Sequence, residues 1–278
     1  MRNKNLKRYI LALLLTTFIG CQSAENLSIQ TNSQNQVNQI YKHDLKERLT
    51  IRTDHLIDGI VPVNSHEKRA YQYPESYIIE GKTYSKKVAL TFDDGPSKYT
   101  LQILNKLNEY NIKATFFMTG NAIKSFPNLV KQLHDEGHLI ANHSWDHSNA
   151  NEYQVPENYW QEQILPTNNL IKHITGVTPS LFRPPFGSTT EKIVNKLITQ
   201  KMKTVIWSID TQDWNDNINT EKNIAALAIK YAHPEAIILM HDGGGNRQST
   251  VDALDEIIQH YRQLDYQFVT VEKLISSH

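Results

Sequence analysis

The sequence predicts an α/β domain on a parallel sheet, because short apolar strand runs alternate with helical stretches from residue 86 onward. A second observation agrees with the first. Ionisable residues collect immediately after the strand runs, where parallel α/β folds build their sites. The alternation leaves two forms standing, an open sheet and one closed into a barrel.

The elements follow in order from the N-terminus. Arg2, Lys4, Lys7 and Arg8 form a basic stretch ahead of an uncharged, mostly apolar run over residues 9–19. That run is far short of the roughly 20 residues a membrane-spanning helix needs, so it reads as the apolar part of an export signal. Phe18-Ile19-Gly20-Cys21 resembles the cleavage site of bacterial lipoproteins, with Phe18 where Leu is usual. The resemblance implies lipidation at Cys21 and a cell-membrane anchor facing the wall; plain secretion is the alternative. Cys21 is the only cysteine, so the exported part folds without an intramolecular disulfide. The next stretch, rich in Gln, Asn, Ser and Thr, cannot bury enough apolar surface to offset its ordering entropy and reads as a flexible tether. The layout is therefore a signal over 1–20, a tether over 21–39, an extension over 40–85 and the main domain over 86–275. In the extension, Tyr41, Leu45 and Leu49 share a helical face, and Pro62 and Pro74 break any longer pattern. Tyr77-Ile78-Ile79 and Thr83-Tyr84, separated by Glu80-Gly81-Lys82, predict a small hairpin.

In the main domain, residues 88–92 form the first buried strand run, and Leu101, Leu104 and Leu107 follow at helical spacing. Residues 114–118 are the next strand, and 127–136 a helix ended by Gly137. Further strands are predicted over 138–141, 181–183, 203–209, 236–240 and 268–270, with helices over 157–174, 190–199, 221–232 and 251–263 between most of them. Lys+Arg and Asp+Glu both number 29, which gives no footing for a nucleic-acid partner.

Five polar clusters end strand runs: Thr91–Pro96 with Asp93 and Asp94; Asn142–His147; Arg183–Gly187; Asp210–Trp214; and Leu239–Asp242, before a glycine run. Each has a bland reading. Paired Asp residues before Gly-Pro are common in turns, two histidines can be surface neighbours, and an Arg can be a structural ion-pair partner. Five such clusters at one edge exceed what structure alone requires. One carboxylate and two imidazoles suit a catalytic divalent metal with open positions. A second carboxylate can take a proton from an acidified water, and a further histidine can protonate a departing amine. An Arg can orient the base, and a backbone N–H can receive an oxyanion. Hydrolysis of an unactivated amide needs this set.

In order, these clusters resemble the five motifs of the polysaccharide deacetylases (NodB-homology domain, carbohydrate esterase family 4), over about residues 86–274. The resemblance implies a distorted (β/α) barrel with fewer than eight complete units. It implies Asp93 as general base, and Asp94, His143 and His147 as ligands of a divalent metal, with Zn²⁺ favoured and Co²⁺, Mn²⁺ or Ni²⁺ also suited. Arg183 would hold Asp93, the Phe186 amide would serve the oxyanion, and Asp213 would pair with His241 as acid. Trp214 and Leu239 would shape a pocket for the acetyl methyl, while Asp210 would orient loops. Phe186 stands where the family often has Tyr. The implied substrate is an acetylated glycan strand, with N-acetylglucosamine of peptidoglycan first. N-Acetylmuramic acid, chitin oligomers, poly-N-acetylglucosamine and O-acetyl xylan are the alternatives. A glycan-binding lipoprotein without activity is the reading from another class, but such a chain should lack a ligand or base, and none is missing here.

Overall fold

The computed structural model describes residues 63–82 and 85–276. The export signal, Cys21, the tether, and Tyr41, Leu45 and Leu49 lie outside the described residues. The strands are β1 (Tyr77–Ile78), β2 (Lys87–Asp93), β3 (Thr115–Met118), β4 (Leu139–Asn142), β5 (Leu181–Phe182), β6 (Lys203–Val205), β7 (Ile209–Asp210), β8 (Ala236–His241) and β9 (Gln267–Phe268). Every pairing is parallel, in the order β1-β6-β5-β4-β3-β2-β8-β7, with β9 beside the start of β2. The helices are α1 (Val63–Gln72), α2 (Lys98–Glu109), α3 (Gly120–Ser125), α4 (Pro127–Asp135), α5 (Pro156–Tyr159), α6 (Leu165–Thr175), α7 (Glu191–Thr199), α8 (Glu221–Lys230), α9 (Gln248–Gln263) and α10 (Val271–Ile275).

The connection between β6 and β7 shows how far the sheet curls. These strands lie near opposite ends of the order, yet only residues 206–208 join them. Four Cα steps of about 3.8 Å reach at most about 15 Å, so the two edges must bend toward each other. At this seam Ile206 N–H donates to the Ile78 carbonyl (2.8 Å) and Ser208 N–H to the Ile237 carbonyl (3.0 Å). Chain continuity, not a further ladder, draws the incomplete barrel together.

Strand alternation assigns each residue a side. Val88, Leu90 and Phe92 pack outward with Ile103, Leu104 and Leu107 of α2 and Leu254 and Ile257 of α9. Each such buried Leu or Ile contributes roughly 1.5–3 kcal/mol relative to exposure. Ala89 lies inward with Phe117, Ala141, Leu181, Val205 and Ile237, and α10 packs Val271 and Leu274 against this inner group. Continuing the inward rows by twos leads from Ala89 to Thr91 and Asp93, from Ile237 to Leu239 and His241, from Ala141 to His143, and from Leu181 to Arg183. The alternation that builds the core therefore sends five polar residues, Thr91, Asp93, His143, Arg183 and His241, to the same interior end.

The structure departs from the sequence reading in three places. Tyr77–Ile78 pairs in parallel with Thr204 and Val205 of β6, and the other half of the expected hairpin, Thr83 and Tyr84, lies outside the described residues. The strand predicted over 203–209 is two strands, because the chain changes sheet edge at residues 206–208. The helix predicted over 157–174 contains a π turn, Trp160–Ile164. Pro166 has no N–H for the preceding turn, and the wider turn accommodates it. Gly176, at φ 79°, ends α6.

Candidate metal centre

Asp94 follows the inward Asp93, so alternation alone would turn it outward. Its backbone instead takes φ 73°, a left-handed conformation that swings it back over the barrel mouth. The turn is tied down behind it. Gly95 N–H donates to the Asp242 carboxylate (3.1 Å), and Ser97 opens α2 with a reciprocal cap to Thr100.

His143 Nδ1 donates to the Arg183 carbonyl at 2.7 Å, which leaves its Nε2 as the lone-pair nitrogen. That nitrogen faces Asp94 Oδ1 at 3.4 Å, and His147 Nε2 faces the same oxygen at 3.3 Å. Asp94 Oδ1 is buried with no hydrogen-bond partner. A buried acceptor without a donor costs free energy, and a cation held between this oxygen and the two nitrogens would satisfy it. All three ligand atoms lie within 4.8 Å of one another. Two ligands each about 2.1 Å from a tetrahedral cation stand about 3.4 Å apart, so the observed spacing fits a divalent metal.

The loop that brings His147 back to the site is folded by side chains. Ser144 N–H donates to Asn142 Oδ1 (2.7 Å), His147 N–H to Ser144 Oγ (3.0 Å), and Trp145 N–H to Gln163 Oε1 (3.0 Å). The Phe186 ring meets the His147 ring edge-on at 4.6 Å. Electrostatics follow this crowding. Burial would raise the Asp94 carboxyl, but the close approach of His143, with His241 and His147 beyond, holds it well below its ordinary value. Burial and the neighbouring His143 push His147 down to about 4. For His143 burial opposes charge, yet Asp93 and Asp94 raise it overall.

Arg183 is fully buried at the centre of the barrel. Its Nη1 donates to Asp93 Oδ1 (2.7 Å) and Thr91 Oγ1 (2.8 Å), Nη2 to the Ile206 carbonyl (2.9 Å) and Nε to the Val205 carbonyl (3.3 Å). One planar fork therefore fixes Asp93 and both carbonyls at the seam. Asp93 is itself the register partner of His241 on the adjacent strand.

His241 Nδ1 lies 2.7 Å from Asp213 Oδ1, and Asp213 Oδ2 accepts from His241 N–H (2.7 Å) and Thr250 Oγ1 (2.8 Å). Burial disfavours the imidazolium, but Asp213, with Asp94 and Asp93 beyond, outweighs it and pushes His241 up to about 9. Asp210 accepts from Gln212 N–H (2.8 Å) and the Trp214 indole (3.2 Å), and burial raises it to about 6. Its contacts are to its own loop. Leu239 is buried in register with Thr91 and Asp210, whereas Trp214 and Phe186 are exposed at the rim. Phe186 holds a left-handed φ of 59°.

All of the strand-end residues singled out in the sequence reach the barrel mouth or its rim; Cys21 is outside the described residues. The sequence patterns do not single out Thr91 and Asp242, which lie inside the quoted clusters, nor Arg247, whose partners are main-chain carbonyls, nor Thr250, whose partner Asp213 is distant in sequence.

The family described as polysaccharide deacetylase matches residues 80–205. The chain is 36% identical over 204 residues to a peptidoglycan-N-acetylglucosamine deacetylase of Bacillus cereus, covering 73% of each chain. It is 37% identical to the peptidoglycan-N-acetylglucosamine deacetylase PgdA of Listeria monocytogenes, covering 71% of this chain and 40% of that one. Among solved structures, the Bc1960 peptidoglycan N-acetylglucosamine deacetylase in complex with 4-naphthalen-1-yl-N-oxidanyl-benzamide superposes with a TM-score of 0.71 at 35% identity, over 76% of this chain and 97% of that one.

Proposed function

This chain belongs to the polysaccharide deacetylase family, and we propose that it hydrolyses N-acetyl groups of N-acetylglucosamine in peptidoglycan. One observation carries the reading: Asp93 and His241, partners across neighbouring strands, adjoin a lone-pair cluster formed by Asp94, His143 and His147. The substrate follows from the relatives of like sequence, which are named for that sugar and that polymer.

Asp94, His143 and His147 are the residues that would hold the cation, zinc in our reading, with Co²⁺, Mn²⁺ or Ni²⁺ also suited to the set. Such a cation supplies Lewis-acid polarisation of the acetyl carbonyl and lowers the pKa of an attacking water. Asp93, fixed by Arg183, accepts the proton of that water as its oxygen bonds to the acetyl carbon. The Phe186 amide donates to the oxyanion that develops there. His241, kept protonated by Asp213, delivers a proton from Nε2 to the sugar nitrogen as the C–N bond breaks, yielding acetate and a free amine. Leu239 and Trp214 bound the space for the acetyl methyl. The working domain is assigned to residues 86–275. Lipidation at Cys21 and the 21–39 tether would hold it at the cell membrane within reach of the wall, a reading supported by the residues preceding that cysteine.

Acetate released from peptidoglycan, from N-acetylglucosamine oligomers and from O-acetyl xylan, each with and without chelator, tests this. The expected outcome is chelator-sensitive release from peptidoglycan, with free glucosamine in the digested product. Release from xylan alone, or release that chelator leaves unchanged, would overturn the reading.

A further inference from the structure

The glycine run after β8 lies against the metal ligand. A Cβ on Gly243 would stand 2.3 Å from the Asp94 carbonyl oxygen, and one on Gly244 would stand 2.4 Å from Asp94 Oδ2. Gly244 also holds φ 69°, so the backbone can approach Asp94 this closely only without a side chain. Three glycines in succession have little stiffness of their own, and something must hold them in place.

Arg247 does so. Its side chain is 5% exposed, and its three hydrogen bonds all go to main-chain carbonyls: Nε to Gly243 (2.8 Å), Nη1 to Asp213 (3.0 Å) and Nη2 to Gly244 (3.4 Å). Three acceptors around one group require the fixed planar fork of a guanidinium; an ammonium on a flexible stem cannot serve them in the same geometry. Two of the carbonyls belong to the loop packed on Asp94. The third belongs to Asp213, whose carboxylate orients His241. Thr250, from the first turn of α9, donates to the same carboxylate, so residues 247–250 grip Asp213 at both its carbonyl and its side chain.

We propose that Arg247 is a positioning residue that sets the metal ligand Asp94 and the acid pair Asp213–His241 relative to each other. The inference rests on the roles proposed above for those residues. It places Arg247 one residue removed from both the metal ligand Asp94 and the proton donor His241, so a single substitution should disturb two separable quantities.

The test uses the full-length protein, stripped of metal and titrated with Zn²⁺, and then assayed on an N-acetylglucosamine oligomer and on an activated aryl acetate. Arg247→Met should bind Zn²⁺ about 10–100-fold more weakly, the range that attends loss of a group supporting metal ligands. It should also lose more activity on the amide than on the ester, because the ester expels its leaving group without an acid. Arg247→Lys should fall between Arg247→Met and wild type in both measurements. Gly244→Ala, at an exposed position, should weaken Zn²⁺ binding while leaving the amide-to-ester ratio closer to wild type, and it carries the metal arm if Arg247→Met does not fold. Undiminished Zn²⁺ affinity in folded Arg247→Met, or in Gly244→Ala, would overturn the proposal. The titration needs no substrate, so a wild-type protein inactive on glycan would sink the proposed function and leave this inference to be judged on metal binding.

Discussion

The middle of the sheet and its seam are built by different means. In the middle, β2, β3 and β8 pair over several residues each, and their alternation aims Asp93 and His241 into the barrel as a by-product of packing the core. At the seam, β1, β6 and β7 are two or three residues long, and residues 206–208 cross between edges with no ladder of their own. Long strands fix geometry through many hydrogen bonds, whereas short ones need side chains to do it. Arg183 supplies that at the seam while its other nitrogen holds Asp93. The base and the closure of the barrel therefore depend on one buried guanidinium.

The largest effect should come from the middle of the sheet. His143→Ala removes one of the three lone-pair donors while its backbone bond to Met118 remains. Metal analysis should show loss of stoichiometric binding, and acetate release should vanish with it; full occupancy would show the ligand set to be wrong. Next comes the residue shared by both regions. Arg183→Met leaves Asp93 buried and unpaired and the Val205 and Ile206 carbonyls without their donor, so denaturant titration should show a loss of about 3–5 kcal/mol. A variant of wild-type stability would separate the seam from the base.

The pair behind His241 gives a gentler test by pH. His241 is raised from 6.5 to about 9, so the Asp213–His241 contribution to stability is whole below about pH 6.5 and is lost as pH rises through 9. Amide hydrolysis should decline over the same upper range, and Asp213→Asn should move the decline to lower pH. An unmoved descending limb would remove Asp213 as the cause. The smallest effect belongs to the outer edge of the seam. Gln72 donates to Glu191 at 2.8 Å on the exposed flank of α1 and α7, and Gln72→Ala should change stability by no more than about 0.5 kcal/mol. A larger loss in thermal unfolding would mean that the seam is held from outside as well as by Arg183.

The same contrast explains what the sequence disclosed. The strand run at residues 88–92 is apolar but for Thr91, so its end, and the carboxylates beyond it, can be located by pattern alone. Asp93 and His241 were visible because a strand end is a local feature. Tyr77–Ile78 offers two residues and no period, and its parallel partner in β6 lies far along the chain. The stretch over 203–209 carries strand-forming residues up to Ile209, and no Gly or Pro marks where the chain leaves one edge for another. The π turn has one local signal, Pro166 in the first turn of the helix that follows it. Arg247 is different in kind: its carbonyl partners are set by the fold, and main-chain acceptors leave no trace in side-chain identity.

The central claim is that proton transfer is divided between Asp93 and His241 at one strand-end site. The most direct measurement compares His241→Ala and Asp93→Asn, each with its metal content verified, on an N-acetylglucosamine oligomer and on an activated aryl acetate. Loss of one acid–base group costs about 10²–10⁴ in rate. That loss should appear on both substrates for Asp93→Asn and mainly on the amide for His241→Ala, because a phenolate departs without a proton. Equal losses on amide and ester for His241→Ala would contradict the account.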